Sequence, residues 1–446
     1  MKLTHSFFAP ALDSTQSTVD TEALDRSIDL YNGKQYLEAL HTLLDFLNPA
    51  FRGKYGNADG TQFRIPHGSI LVDILVRDDR LHIGADFLKL PEKGRVAMLR
   101  QVCDLSLNNL LLPRFRKEGD RLRMEYTCPL SQSHPHKLYF ILRNICHVGD
   151  RYDDEFRTKF KAVRCYEPRV TPYAEAEVER LHEAVVQTCR ETLDAVREYE
   201  TERKYGYAWC IIDTALYKIA YIAHPQGQLM NDLDKAVDDM DRELPVAELV
   251  TKGKAFLERM RDMPREELAA NLYYVDTLVS TKRRSSLGNV QENLKDIYNE
   301  ATDAIQIKDF ERSAVRILYK LYEMYYYIDV QDDLNALVVR ALRESANKPM
   351  EEASAILYEA VGNIMDGELE PEWDAPGDGA DGNAPGGSAD EAAEAARAAA
   401  AAMSGRIADM QTRMQEALGR GDTAEYMRLV TEFQQLVMRP EDGNTK

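Results

Sequence analysis

A strongly acidic stretch rich in glycine and proline interrupts the chain towards its C-terminal end. Residues 366–396 hold ten Asp and Glu residues and no Lys or Arg, and three prolines break up the first part. Such a segment buries too little apolar surface to offset the conformational entropy lost on ordering it. The sequence therefore predicts an acidic disordered linker over residues 366–387, between a large globular body and a short helical tail. This organisation favours a protein that docks partners over a compact enzyme.

The composition is typical of a globular protein with an excess of acid. Of 446 residues, 44% are hydrophobic and 29% are charged, and the formal net charge is −19. Nucleic-acid binding relies on Lys and Arg that neutralise phosphates, so this charge argues against nucleic acid as a partner. The six cysteines form no CxxC pair, which favours small buried thiols in a reducing compartment. We expect a cytoplasmic protein that needs no cofactor or metal.

The most membrane-like run covers residues 207–223, but Asp213 and Lys218 lie inside it. Charged side chains are costly in the hydrocarbon core, so the run predicts a buried helix of a helical bundle and no membrane span.

The first 168 residues predict an α+β domain with an antiparallel sheet and helices. Residues 20–48 have the pattern of a helical hairpin that Gly33 interrupts and Pro49 ends. Alternating apolar residues then predict two strands joined at Asp78-Asp79, a helix, and two further strands. A long helix follows from about Pro135 to Phe160. Adjacent strands joined by short polar turns favour an antiparallel sheet backed by helices.

This order, over about residues 20–165, resembles the type III secretion chaperone-like fold shared with bacterial YbjN-type proteins. The phrase that carries the resemblance covers residues 79–130, DRLHIGADFLKLPEKGRVAMLRQVCDLSLNNLLLPRFRKEGDRLRMEYTCPL. The resemblance implies a small acidic domain that often dimerises. Members act by binding other proteins or have no defined activity, so it also implies a non-enzymatic role.

Residues 169–365 show only helical signals and predict an all-α bundle or short solenoid. The expected helices cover 174–203, 205–223, 231–242, 246–262, 265–280, 289–306, 309–328, 331–346 and 350–365. The helix from 309 carries apolar and tyrosine side chains on overlapping faces, which predicts that it lies at the bundle centre.

Residues 388–439 predict a C-terminal helical hairpin with a seam rich in methionine. Two capping-box-like starts, at Ser388 and Asp422, each precede an apolar stripe at helical spacing. Such a pair is too small to be stable alone, so it requires a partner, a second copy or the body of the chain. The predicted partner-binding residues of this tail are Met410, Met414, Met427 and Phe433.

A short basic segment, Lys282-Arg283-Arg284-Ser285-Ser286, stands out in an acidic chain. Arg283 and Arg284 are therefore predicted to bind an acidic partner, a phosphate or the acidic linker of the chain itself. The alternative is a solvated loop between two helices. Tyr322 and Tyr325–Tyr327 could stack on a ligand, but at helical spacing beside apolar residues they are more often core and rim.

The histidine-rich region 134–154 is the best place to look for a catalytic or metal site. His134, His136 and His147 are close in sequence to Asp150, Asp153 and Asp154. Imidazole and carboxylate groups together can hold a metal. However, Pro135 marks a helix start, where polar residues are ordinary, and no catalytic motif appears.

The leading hypothesis is a non-enzymatic intracellular adaptor or chaperone-like protein of bacterial type. It would bind proteins through its α+β domain, by a sheet or helix surface, and through the tethered Met-rich hairpin, and a homodimer is possible. The alternatives are an enzyme with a dispersed site near residues 134–154 and a ligand-sensing regulatory subunit of a bacterial stress or defence system.

Overall fold

An antiparallel sheet with helices on one face makes up roughly the first half of the residues that the structure describes. The computed structural model describes residues 5–12, 15, 21–280 and 282–369, and its hydrophobic side chains form two clusters. We call residues 21–164 the sheet layer. Its elements are α1 (Thr21–Asn32), α2 (Tyr36–Leu47), α3 (Phe51–Tyr55), β1 (Gln62–His67), β2 (Ile70–Arg77), β3 (Arg80–Lys89), α4 (Arg95–Asn108), β4 (Arg114–Glu118), β5 (Arg121–Pro129), α5 (Pro135–Phe160) and β6 (Val163–Arg164).

The predicted α+β character of this half is confirmed. The strands run in the order β1-β2-β3-β5-β4, all antiparallel, and β6 pairs with β3. Asp78 and Asp79 both have positive φ, +51° and +55°, and join β2 to β3 in a two-residue turn. Paired positive φ values match the right-handed twist of the strands, and Asp tolerates them better than most residues. This turn fixes the register and places alternate apolar residues on the inner face.

The helix α5 crosses the inner face of the sheet. Leu138, Leu142 and Ile145 are buried against it. At Gly149 the approach is so close that a Cβ atom would lie 2.6 Å from Cδ1 of Ile70. Glycine at this position therefore allows the helix to pack at this distance from the sheet.

Roughly the second half of the described residues, 170–369, is a layer of packed helices, which we call the helical layer. Its elements, with two short strand pairs at its edges, are β7 (Val170–Pro172), α6 (Glu175–Thr201), α7 (Tyr205–Ala223), α8 (Gly227–Met240), α9 (Val246–Arg261), α10 (Arg265–Ala269), β8 (Tyr273–Val275), β9 (Arg283–Arg284), α11 (Leu287–Gln306), α12 (Phe310–Tyr327), β10 (Ile328–Asp329), α13 (Asp332–Glu344) and α14 (Met350–Asp366).

The helices α7 and α12 form the centre of the helical layer. α12 packs against α7, α11 and α14, as expected for a central helix. Most residues of α7 are buried, and these include Asp213 and Lys218. A helix that is apolar on all sides is normally enclosed by protein, which explains its membrane-like composition. In the described ranges no helix is both long enough and apolar enough to cross a bilayer.

One predicted helix of this half is wrong. The segment 265–280 is helical only over α10, and the chain then forms β8, which pairs antiparallel with β7. The short parallel pair β9–β10 was not expected either. Leu268, Leu272 and Val279 have a helical spacing and are all buried, but in the structure the partner strand of β8 lies about a hundred residues earlier. Long-range pairing of this kind overrides local propensity.

Each layer is completed by a segment from a distant part of the chain. Leu278 and Val279, from the connection between β8 and β9, are buried in the core of the sheet layer. In the opposite direction, residues 5–12 pack into the helical layer, where Phe7 and Phe8 contact its core. All described residues fall within one compact unit. The boundaries 1–168 and 169–365 stay predictions, and residues 370–446, with the linker and the tail hairpin, lie outside the described residues.

Candidate functional site

Large apolar side chains at the end of α4 and in the loop after it are exposed to solvent. Leu107 is 81% exposed and Leu111 is 75% exposed, and Phe140 on α5 is 59% exposed. Leu111, Leu112, Pro113, Phe140 and Ile141 line a groove of about 400 Å³, which we call the apolar groove. Exposed apolar side chains are normal singly, but a contiguous set marks an interaction surface.

The loop that presents these leucines is clamped to α5 by Asn144. The Asn144 side chain accepts a hydrogen bond from the backbone N–H of Leu111 at 3.0 Å and donates to the carbonyl of Asn109 at 2.7 Å. Asn109 in turn donates to the Tyr152 hydroxyl at 3.1 Å. Because the polar groups of the loop are satisfied in this way, its apolar side chains remain on the outside without strain on the backbone.

Basic side chains border the apolar groove. Arg143 lines the groove. Arg114, the residue after Pro113 in the sequence, donates to the carbonyls of Leu111 and Pro113 at 3.0 and 2.8 Å. The net charge of the whole chain is −19. A basic border is therefore a local departure from the charge of the protein, and it favours partners with acidic groups beside apolar ones.

The open face of the sheet has a different character. Arg123 lies between Asp73 and Asp86, with N–O distances of 2.9 and 2.8 Å, and Arg64 pairs with Asp73 at 3.0 Å. These ion pairs keep the outer face of β2, β3 and β5 polar. The sequence predicts that either a sheet surface or a helix surface binds partners. In the structure the exposed apolar surface lies on the helix side.

The basic segment 282–286 is tied into the fold by hydrogen bonds. Lys282 donates to the carbonyl of Tyr325 at 2.7 Å, and the Ser286 side chain accepts from the N–H of Asn289 and caps α11. Arg283 and Arg284 form β9, in which Arg283 is exposed and Arg284 is half-buried. Their role as partner-binding residues stays a prediction. The other predicted partner residues, Met410, Met414, Met427 and Phe433, lie outside the described residues.

The histidines of region 134–154 do not come together. The rings of His134 and His136 are stacked at 5.6 Å at the start of α5. His147 lies 13 residues further along the helix, about 20 Å away. The nearby carboxylates have structural partners, since Arg164 binds Asp153 at 2.5 Å and Asp154 at 2.8 Å. Within residues 5–12, 15, 21–280 and 282–369, no group of three His, Cys, Asp or Glu side chains is arranged to hold a metal ion.

The tyrosines at the end of α12 belong to the core and its rim, as the alternative interpretation of the sequence expected. Tyr322 and Tyr325 are buried, and the Tyr325 hydroxyl donates to Asn335 at 2.7 Å. The Tyr326 hydroxyl donates to Asp234, and Tyr327 is exposed. They are placed to pack the helical layer rather than to stack on a base.

A polar cleft of about 250 Å³, which no pattern in the sequence predicts, lies where the two layers meet. Its lining comes from α5, α8, α12 and the basic segment, with the side chains of His147, Asp150, Arg151, Asn231, Asp234, Asp238, Lys282, Tyr326 and Tyr327. Arg151 bridges Asp234 and Asp238 at 3.7 and 3.4 Å. Burial lowers the pKa of His147 to about 4, with Arg151 adding to the effect, so this imidazole is neutral near pH 7. The amide nitrogen of Asn231 is buried with no hydrogen-bond partner among the described residues.

The spacing of residues on two helices was the signal that could have revealed this cleft. His147, Asp150 and Arg151 share one face of α5, and Asn231, Asp234 and Asp238 share one face of α8. Nothing in the sequence indicates that these two faces meet. Comparison with known proteins adds no assignment, because no family model and no curated protein matches this chain.

Proposed function

We propose that this protein is a non-enzymatic intracellular adaptor with chaperone-like character, which binds other proteins through the apolar groove. The proposed second contact is the Met-rich tail, with Met410 and Phe433 at its centre, joined to the body by the acidic linker. Residues 5–369 would act as the scaffold. The likeness of residues 20–165 to the type III secretion chaperone-like fold is a resemblance and supports the proposal only as such.

The exposure of Phe140 beside Leu111 is the observation that supports the proposal most strongly. Fully burying one such side chain is worth about 1.5–3 kcal/mol, so a partner that covered the half-exposed groove would gain on the order of 1 kcal/mol from each. Interfaces commonly concentrate their binding energy in a few aromatic and aliphatic anchors of this kind. A groove with such anchors suits a partner helix or extended segment.

The basic border of the groove indicates which partners it fits best. Arg114 and Arg143 would face the edge of a bound segment. A segment with apolar residues in the groove and Asp or Glu beside them would meet both features. The six cysteines are free, which supports a reducing, cytoplasmic compartment.

A direct test measures protection of unfolded protein. The wild-type chain is expected to delay the aggregation of a chemically denatured model protein at equimolar concentration, and Phe140→Asp is expected to lose this effect. Ile307→Asp is the matched control, since Ile307 is an apolar side chain 71% exposed on the helical layer. Thermal unfolding of both variants verifies that the fold is intact. If Phe140→Asp protects as well as the wild type, the groove is not the binding surface.

The ligand-sensing alternative is favoured by one specific observation, the polar cleft with the unpartnered amide of Asn231. A small polar molecule there would contact both layers and could alter their packing. Thermal unfolding in the presence of a panel of polar metabolites tests this function. A rise in melting temperature that Asn231→Leu abolishes would support sensing, and no response to any compound would leave the adaptor as the better account.

A further inference from the structure

Residues 5–12, which we call the leading segment, lie along the helical layer without helix or strand structure of their own. Its backbone is held by three residues of α6 and α7: Lys218 Nζ donates to the Ser6 carbonyl at 2.6 Å, Arg180 donates to the Ala9 carbonyl at 2.8 Å, and Ala11 N–H donates to the Ile222 carbonyl at 2.9 Å. Such main-chain bonds hold an extended chain whatever its side chains are.

The side chains of the leading segment are also recognised individually. The Ser6 hydroxyl donates to Oε2 of Glu191 at 2.5 Å and accepts from Lys218 Nζ at 3.0 Å. The Phe8 ring lies 5.2 Å from the Lys218 ammonium, and the Phe7 ring lies 5.7 Å from the Arg343 guanidinium. Both distances are within the range of cation–π attraction. The surface between α6, α7 and α13 that holds this segment, which we call the leading-segment groove, thus recognises a hydroxyl group followed by two aromatic rings.

The first residue of the segment closes the far end of the groove. His5 is buried, and its Nε2 donates to the Leu342 carbonyl at 3.0 Å. The backbone N–H of Asn347 donates to the His5 carbonyl at 2.7 Å. These contacts come from α13 and the turn after it, so the groove is built by helices distant in sequence.

The surroundings of Lys218 form a polar site inside an apolar core. Lys218 is buried, and burial lowers the pKa of its ammonium group to about 8. A small cavity of about 50 Å³ adjoins Ser6 and Lys218 and is lined further by Thr188, Ile211 and Tyr322. A buried charge is costly unless it is hydrogen-bonded, and here two of its acceptors belong to the leading segment.

We propose that this groove is a peptide-binding site for an extended, uncharged segment with a hydroxyl group followed by aromatic side chains, and that the leading segment is its ligand in cis. The same segment of a second copy of the chain is the occupant in trans, because it carries the same chemistry. Exchange of an identical segment between copies creates no new type of contact, so it costs little free energy.

The tether explains why the cis ligand dominates in the intact chain. Eight residues, 13–20, join the leading segment to α1. A short tether of this kind gives an effective concentration in the millimolar range, so a free peptide competes poorly until the tether is cut.

The test uses the full chain with a specific protease site in place of residues 14–19. After cleavage, a fluorescent synthetic peptide of residues 1–14 is expected to exchange into the groove at one peptide per chain, measured by fluorescence anisotropy. The intact chain is expected to bind it at least about tenfold more weakly. Lys218→Met in the cleaved chain, or Ser6→Ala in the peptide, is expected to weaken binding about tenfold or more, which corresponds to the loss of one buried charge-assisted hydrogen bond.

Lys252→Met is the matched control, because Lys252 is a partly exposed lysine whose ion pair with Glu248 lies on α9, away from the groove. It is expected to leave peptide binding unchanged. If the cleaved chain holds its own peptide too tightly for exchange, a chain without residues 1–12 is titrated directly, and binding supports the proposal. A cleaved chain that unfolds, or a folded chain without residues 1–12 that binds no peptide, would overturn it.

Discussion

The backbone N–H of Leu278 donates a hydrogen bond to Nδ1 of His67 at 3.1 Å, across 211 residues of sequence. Burial lowers the pKa of His67, although the Asp150 carboxylate opposes this effect, and a neutral imidazole is what an acceptor Nδ1 requires. One residue after His67, in the turn between β1 and β2, Gly68 N–H donates to the Asp276 carbonyl at 2.9 Å. A loop of the helical layer thus completes the core of the sheet layer.

This relationship predicts that damage to Leu278 is felt in both layers. Leu278→Ala leaves a cavity at a fully buried leucine, and we expect a loss of about 2–5 kcal/mol of unfolding free energy. Urea unfolding measures it, with far-ultraviolet circular dichroism for the whole chain and, in a Trp373→Phe background, Trp209 fluorescence for the helical layer. Both signals should shift together. Ile307→Ala, at an exposed site, should change stability by less than about 0.5 kcal/mol. Two separate transitions for the Leu278 variant would show that the layers unfold independently.

A second prediction concerns the acid buried in α7. Burial raises the pKa of Asp213 to about 8, and the nearby Asp241 carboxylate adds to the effect. Between about pH 4 and pH 8 the unfolded chain has lost this proton while the folded chain keeps it, so stability falls as the pH rises through this window.

Asp213→Asn mimics the protonated side chain at every pH. We expect it to stabilise the protein at pH 8 relative to the wild type and to have little effect near pH 4. Denaturant unfolding at the two pH values measures the difference. An Asn variant that is equally destabilised at both would mean that the carboxylate itself is required by the fold.

A third prediction concerns the tail, which the structure does not describe. Met410→Asp with Phe433→Asp places charges in both predicted apolar seams. We expect this double variant to abolish the proposed association through the tail and to leave the thermal unfolding of the body nearly unchanged, because the predicted acidic linker would separate the two. Sedimentation velocity measures association and calorimetry measures the body. A lowered melting temperature of the body would mean that the tail packs on it as structure.

Local patterns in the sequence were enough to predict most of the sheet layer. The two-residue turn at Asp78-Asp79, the alternation along β2 and β3, and α5 from Pro135 to Phe160 all appear in the structure. Each of these rests on residues near one another in the chain. The strand β1 was missed because Pro66 interrupts its alternation, although it pairs fully with β2 as an edge strand.

The features that depend on distant residues could not be predicted. The bond from Lys218 to Ser6 joins residues 212 apart, and nothing local marks residues 5–12 as part of the helical layer. The apolar groove was missed for a related reason, since Leu111 and Phe140 have the composition of ordinary core residues. Their exposed fractions in the structure, 75% and 59%, show that they face solvent.

The most direct test of the adaptor proposal is site-specific photo-crosslinking at position 140 in cells. A photoreactive phenylalanine analogue replaces Phe140, and the same analogue at Ile307 provides the control. The account predicts a discrete protein adduct at position 140 that Leu111→Asp removes, with no comparable adduct at position 307. Equal labelling at both positions, or an adduct at 140 that persists in the Leu111 variant, would contradict the claim that the apolar groove binds a partner protein.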